Sequence, residues 1–208
     1  MMKKFLVGIL VVALLATTGF AGELGYKGVK LGINMANVTG DDASEDAAMK
    51  LGFAFGGFAD YTLNDNMAIG VELAFSMKGY KAESTVAGID ITSTLALNYI
   101  DIPILFKYYM KPGEDMNPVV FVGPCIGMLM SANATMDIDG DETETDVKDT
   151  TTGMDMGLAI GAGVAKAMGE HSLLIDVRYV MGMSSIDDSD AELDYKNTLI
   201  QIGLGYTF

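Results

Sequence analysis

Apolar residues recur at every second position along most of this chain, and few folds can accept that. In Met67 to Lys78, Ile69, Val71, Leu73, Phe75 and Met77 take one parity, while Gly70, Glu72, Ala74, Ser76 and Lys78 take the other. Successive side chains of a strand point to opposite faces, so each such segment predicts a strand with one apolar face and one small or polar face. The last eleven residues repeat the rule. Thr198, Ile200, Ile202, Leu204, Tyr206 and Phe208 alternate with Leu199, Gln201, Gly203, Gly205 and Thr207.

The apolar content needs a destination. Half of the 208 residues are hydrophobic and the mean hydropathy is positive. The one long apolar run is at the start, where Lys3 and Lys4 precede Phe5 to Leu15 and Gly19-Phe20-Ala21 supplies small residues. That is the pattern of a secretory signal peptide cut after Ala21, leaving residues 22–208 as one domain. Beyond it no unbroken stretch reaches the length of a membrane helix. A membrane β-barrel spreads its apolar residues over alternate positions and removes the contradiction. A net charge of −15 argues against nucleic acid as a partner. A single cysteine, Cys125, excludes an intrachain disulfide.

Eight alternating segments can be marked: Gly25 to Met35, Lys50 to Thr62, Met67 to Lys78, Leu95 to Met110, Pro118 to Ser131, Gly153 to Met168, Ser172 to Met183, and the C-terminal strand. The connections alternate long and short, beginning with a long one. Short periplasmic turns and longer outer loops are the outer-membrane pattern, and an even strand count puts both termini on the periplasmic side. The long connections, 37–49, 81–94, 132–152 and 184–194, carry 18 of the 28 acidic residues and only two basic ones, Lys81 and Lys148.

Charge also sorts by parity within the strands. Lys30, Asp60, Glu72, Lys78, Asp101, Lys107, Asp155, Asp176 and Arg178 all fall on the small or polar face. Buried charges have to be paired, so these nine predict a nearly neutral ion-pair network filling the barrel. Lys166 alone breaks an apolar face, at a strand end where it can snorkel.

Five stretches in order, GVKLGINMANVTG (28–40), YIDIPILFKYYM (99–110), FVGPCIG (121–127), GLAIGAGV (157–164) and DVRYVMG (176–182), resemble the PorT-like outer-membrane β-barrel family common in Bacteroidetes-type bacteria. The resemblance spans nearly all of residues 22–208 and implies an eight-stranded antiparallel up-and-down transmembrane barrel. It implies little about activity. Asp101 before Ile102-Pro103 fits the family pattern, and the acidic stretch 132–152 lies outside it. The ending on Tyr206 and Phe208 is similar to the final strand of such barrels, whose last aromatic residue is read by the barrel assembly machinery.

The residues with chemistry are few. His171, the single histidine, falls in a predicted periplasmic turn and has no companion ligands. Cys125 sits on a glycine-rich inward face with no base beside it, which suits a small packed residue. Asp137 to Glu144 resembles a calcium loop only in composition, since Gly140 is fourth rather than sixth and strands flank it. Gly157, Gly161 and Gly163 lack the strand-to-helix setting of a nucleotide fingerprint and read as small inward residues.

No catalytic, cofactor or metal residue is assigned. The leading expectation is a small integral outer-membrane protein with a structural or interaction role through its acidic loops. A narrow porin-like channel is the alternative. A lipid-modifying barrel enzyme stands third, because His171 lies at the wrong end. Expected partners are outer-membrane lipid and lipopolysaccharide, the assembly machinery, and either divalent cations or a basic partner at the outer loops.

Overall fold

The computed structural model describes residues 24–43, 47–86, 88–189 and 193–208. The expected signal peptide, residues 1–21, lies outside the described residues. In chain order the strands are β1 (Leu24–Thr39), β2 (Ala47–Thr62), β3 (Met67–Val86), β4 (Ile89–Tyr109), β5 (Met116–Ile138), β6 (Asp141–Asp146), β7 (Met154–Met168), β8 (His171–Gly182) and β9 (Lys196–Thr207). All but β6 form one ring of eight antiparallel strands. It closes through β1–β9, from Gly28↔Thr207 to Thr39↔Lys196, and through β4–β5. Closure leaves the ring no open edge.

The faces follow the sequence parity. Leu31, Leu51, Phe55, Ile160, Ile202 and Leu204 point out and are exposed, while Asp60, Glu72, Asp101, Lys107 and Arg178 point in and are buried. No helix among the described residues is long and apolar enough to cross a membrane. At one end the connections are short, and Leu24 and Phe208 lie there too. In the β2–β3 turn the Asn64 side-chain oxygen accepts from the backbone N–H groups of Asn66 and Met67, at 3.0 and 2.9 Å. That local bond is why an asparagine serves in the turn.

The other end departs from expectation. The stretches 81–94 and 132–152, expected as loops, are largely strand. β3 and β4 stay paired from Lys81↔Thr94 up to Val86↔Ile89. β5 pairs with β7 only as far as Met128↔Met154, then turns to β6 from Asn133↔Asp146 to Ile138↔Asp141. A four-stranded sheet, β3-β4-β5-β6, therefore projects beyond the ring. Six rungs at about 3.3 Å per residue carry it roughly 20 Å. The β5–β6 turn is Asp139-Gly140, both at positive φ (54° and 92°). Asp-Gly with both residues left-handed is the favoured two-residue hairpin turn, a signal that outweighs the acidity of the stretch. Weak alternation of Ser, Thr and Ile hid the 81–94 hairpin in the same way.

A bulge adjusts the parity of β5. Leu129 pairs with Tyr99 and Ser131 with Asn98, leaving Met130 as the extra residue. A one-residue insertion flips every later side chain to the other face. Ala132, Ala134, Met136 and Ile138 thereby line up with Leu97, Leu95, Ser93 and Ile91 on the barrel-side face.

Candidate functional site

The barrel interior is built in tiers from the short-turn end upward. Lowest is Asp60 on β2, whose Oδ1 lies 2.7 Å from Lys107 Nζ and whose Oδ2 accepts from Tyr109 Oη at 2.5 Å. Both partners come from β4, and Gly70 on the strand between leaves them room. A Cβ there would sit 2.4 Å from Lys107 Cε and 2.7 Å from Asp60 Oδ1. Below this tier an open vestibule of about 350 Å³ faces the short turns.

The next tier crosses the lumen. Arg178 on β8 meets Glu72 on β3 in a two-bond fork, Nη1 to Oε2 and Nη2 to Oε1, each 2.8 Å. In a ring of eight, β3 and β8 stand opposite, so this pair spans the diameter. Planar guanidinium on carboxylate is the strongest geometry available to two side chains. Lys30 Nζ joins Asp176 Oδ2 at 2.5 Å and Glu72 Oε1 at 3.6 Å. The guanidinium also lies over the Phe121 ring, 5.3 Å from its centroid. Gly161 and Gly203 make way for Phe121 and Lys30, since a Cβ at either would fall within 2.5 Å of those side chains.

Above lies a mixed tier. Leu105, Phe121, Cys125, Val180 and Leu199 pack together. Asn34 Nδ2 donates to Ser76 Oγ at 3.1 Å, and Gln201 Nε2 donates to Asn34 Oδ1 at 2.8 Å. The last polar tier centres on Lys78, whose Nζ is 2.9 Å from Asp101 Oδ1 and 3.1 Å from Asp155 Oδ2. Asn197 Nδ2 donates to Asp155 Oδ2 at 3.0 Å, and the Lys78 ammonium sits 4.7 Å from the Tyr99 ring centroid. Val38, Leu97, Tyr99, Ala132 and Ile186 close the interior over it, Ile186 reaching in from the β8–β9 connection. At that rim, the Lys196 ammonium holds the Asp194 carboxyl below its ordinary range.

All nine charged positions singled out from parity are brought into these three ionic tiers. Sequence reasoning missed Tyr109, Asn34, Ser76, Gln201, Tyr99 and Asn197 as their hydrogen-bonding and packing partners. For the first five the signal existed, since each shares the parity of its strand's inward charges or small residues. The voids left along the interior are about 30, 20 and 10 Å³. A single water needs roughly 10–15 Å³, so these three voids have room for a few waters and no larger solute. Outside the tiers, His171 opens β8 with its ring 5.3 Å from that of Tyr206, and Cys125 is buried in the apolar layer. Tyr206 and Phe208 both point outward and are exposed.

Solved structures of similar shape are outer-membrane proteins. Ail, the attachment invasion locus protein of Yersinia pestis, is 17% identical with a TM-score of 0.44, over 89% of this chain and 100% of that one. Neisserial surface protein A is 15% identical with a TM-score of 0.49, over 89% and 99%. The outer membrane protein OprG from Pseudomonas aeruginosa is 17% identical with a TM-score of 0.40, over 89% and 96%. No curated protein matches the sequence. The family model of the outer membrane protein beta-barrel domain matches residues 26–188, and with it the closed ring, the outward apolar face and the ionic interior find one explanation: the chain belongs to that family and resides in the bacterial outer membrane.

Proposed function

We propose that this barrel is a closed, non-catalytic anchor that holds an acidic four-stranded arm above the outer membrane to meet a basic partner. One observation carries the reading. The arm formed by β3, β4, β5 and β6 is amphipathic, and its apolar face is uncovered at the tip. Val86, Ile89, Met136 and Ile138 lie on that face and remain 58, 45, 48 and 42% exposed. The other face presents Glu83, Asp90, Asp137, Glu142 and Glu144 among threonines. Isolated exposed apolar residues need no explanation, but a contiguous set rimmed by charge marks an interaction surface. The two basic residues of the outer stretches are both engaged: Lys81 pairs with Glu83, and Lys148 Nζ donates to the Met130 carbonyl at 2.6 Å. So the rim offers a partner carboxylates and little else.

The same carboxylates suit divalent cations bridging the rim to anionic lipopolysaccharide, a weaker and less specific use of the surface. The narrow-channel alternative is disfavoured by the Glu72–Arg178 bridge across the lumen and by the small voids. A lipid-modifying enzyme is disfavoured because His171 lies among the periplasmic turns. Within the family, the 99–110 and 176–182 motifs favour the PorT-like branch. Tyr206 and Phe208 suit recognition by the assembly machinery, and removing Phe208 should lower the fraction inserted.

Binding of a lysine-rich amphipathic peptide to the refolded barrel tests the arm. Binding should weaken with salt. It should be lost when residues 82–93 and 134–145 are each replaced by Asn-Gly, with the acidic sequences 41–46 and 187–194 kept. Equal binding by the trimmed barrel would assign the effect to rim charge alone and reject the arm.

A further inference from the structure

The three ionic tiers do not balance equally. Lys107 cancels Asp60, and Lys30 with Arg178 cancels Glu72 with Asp176. In the upper tier Lys78 on β3 faces both Asp101 on β4 and Asp155 on β7. Among the described residues no second cation reaches this tier, since Arg178 on β8 is committed to Glu72 and Asp176 below it. Tyr99 on β4, Cys125 on β5 and Asn197 on β9 add only a phenol, a thiol and an amide. The cap brings Val38, Leu97, Ala132 and Ile186 over them, all apolar. With both carboxyls ionised, one negative charge would be stranded in this enclosure, which is costly.

The hydrogen bonding points to where that charge is neutralised. Asp155 and Asn197 are 4 and 3% exposed. Asp155 Oδ2 accepts from Asn197 Nδ2 at 3.0 Å and from Lys78 Nζ at 3.1 Å. The second oxygen of each side chain, Asp155 Oδ1 and Asn197 Oδ1, is buried without a hydrogen-bond partner. Both residues line one void of about 10 Å³, room for at most a single water. Two buried acceptors that nothing satisfies are a costly arrangement. An ionised carboxyl can only accept, but a protonated one has an O–H to donate. One proton on Asp155 therefore supplies the donor that both oxygens need and also brings the tier to neutrality. A carboxylic acid and a carboxamide pair in this way, N–H to one oxygen and O–H to the other.

From this juxtaposition we infer that the barrel folds with one proton bound in its upper tier, on Asp155 Oδ1 and donated to Asn197 Oδ1 directly or through the one water the void admits. The proton makes a latch. β8 ends at Gly182, which carries no side chain to come between Asp155 on β7 and Asn197 on β9. Their pairing ties β7 to β9 across the end of β8. It does so beneath Ile186, which the 184–194 connection lowers onto the tier. Loss of the proton leaves one bond of the pair and a net charge under the cap, and so loosens that connection.

Infrared spectra of the barrel, refolded at neutral pH in a detergent without ester groups, read the proton directly. The wild type should show the carbonyl stretch of a protonated carboxyl, and Asp155→Asn should lack it. Asp101→Asn leaves Lys78 a single carboxylate to balance and should lack it too, which keeps the test decisive if the first variant does not fold. Urea unfolding followed by far-UV circular dichroism gives the linked readout. Carboxyls of the unfolded chain are ionised above about pH 5. Uptake of one proton on folding therefore makes the folded-to-unfolded ratio fall about tenfold per unit rise in pH, until the tier itself ionises. Other titrating groups cancel when wild type is compared with Asp155→Asn, so the ratio of their folding constants should carry that slope from about pH 5 to about pH 7. No protonated-carboxyl band in the wild type, or a ratio that is flat with pH, means an ionised tier with water in the void and overturns the proposal. A band that persists in a folded variant places the proton elsewhere and overturns it equally.

Discussion

Replacing Arg178 by methionine removes one end of the bridge across the lumen and should be among the most damaging single changes in the barrel. The side chain is 3% exposed, and its two 2.8 Å bonds are the shortest contacts Glu72 makes. Without it, Glu72 keeps only Lys30, at 3.6 Å, which is already committed to Asp176 at 2.5 Å. The tier passes from neutral to one excess negative charge. Stranding a buried charge in this way costs about 3–5 kcal/mol, and for a chain of this length that lowers the melting midpoint by about 10 °C. The double variant Glu72→Gln, Arg178→Met restores neutrality and should recover more than half of the loss. Urea unfolding in lipid vesicles followed by far-UV circular dichroism measures both, tryptophan fluorescence being unusable because the chain has no tryptophan. A single variant within about 1 kcal/mol of wild type, or a double variant worse than the single, would refute the argument that the pair is held by mutual compensation.

The lipid face can be tested in the same titration: Leu73→Arg, Ile102→Arg and Ile202→Arg should each cost about 2–4 kcal/mol near the midplane, and Ala74→Ser little. Near-zero effects at all three would sink the assignment of faces. Gly70→Val should cost about 1–3 kcal/mol by overpacking against Lys107, and Gly70→Val combined with Lys107→Ala should show less than the sum. In planar bilayers the wild type should pass no steady current, and a current lost on blocking the lumen would overturn the filled interior. An epitope between Gly140 and Asp141 should be labelled on intact cells while one between Gly113 and Glu114 is hidden; the reverse result would invert the topology and remove the arm from the cell surface.

Parity made much of this molecule legible before any coordinates. It separated the outward apolar residues from the inward charges in the six ring strands that carry such charges, because a strand's two-residue repeat is a local property of the backbone. Which charge meets which is not local. Glu72 finds Arg178 because β3 and β8 face each other in a ring of eight, and its tier is set by the stagger between strands. No pattern inside either segment encodes that stagger. Asn197 was unreadable for a simpler reason: the alternation of β9 becomes clear only from Thr198 onward, one residue too late. At the outer end the error ran the other way. Acidic composition masked the Asp139-Gly140 turn, although the turn fixes the hairpin more firmly than the surrounding charges oppose it.

The arm's length decides what sort of binding it can support. A two-stranded hairpin standing in water is marginal, and three or more strands with a shared apolar face are needed. The β3–β4 extension would be such a hairpin without β5 and β6. The Met130 bulge and the Asp139-Gly140 turn supply the two further strands and direct their apolar residues to the same side. The cap layer covers the base of that face but not Val86, Ile89, Met136 and Ile138 at the tip. Full burial of such a side chain is worth about 1.5–3 kcal/mol. These four are already about half covered, so a partner closing over them gains roughly 3–6 kcal/mol in all. Association alone costs an estimated 4–15 kcal/mol in lost freedom, so the apolar tip cannot by itself hold a partner tightly. The acidic face and rim have to supply the difference, and charge of that kind acts mainly on the rate and specificity of encounter. The interaction expected of this arm is therefore fast, salt-sensitive and weak for a single barrel, becoming firm only where a partner engages several barrels at once.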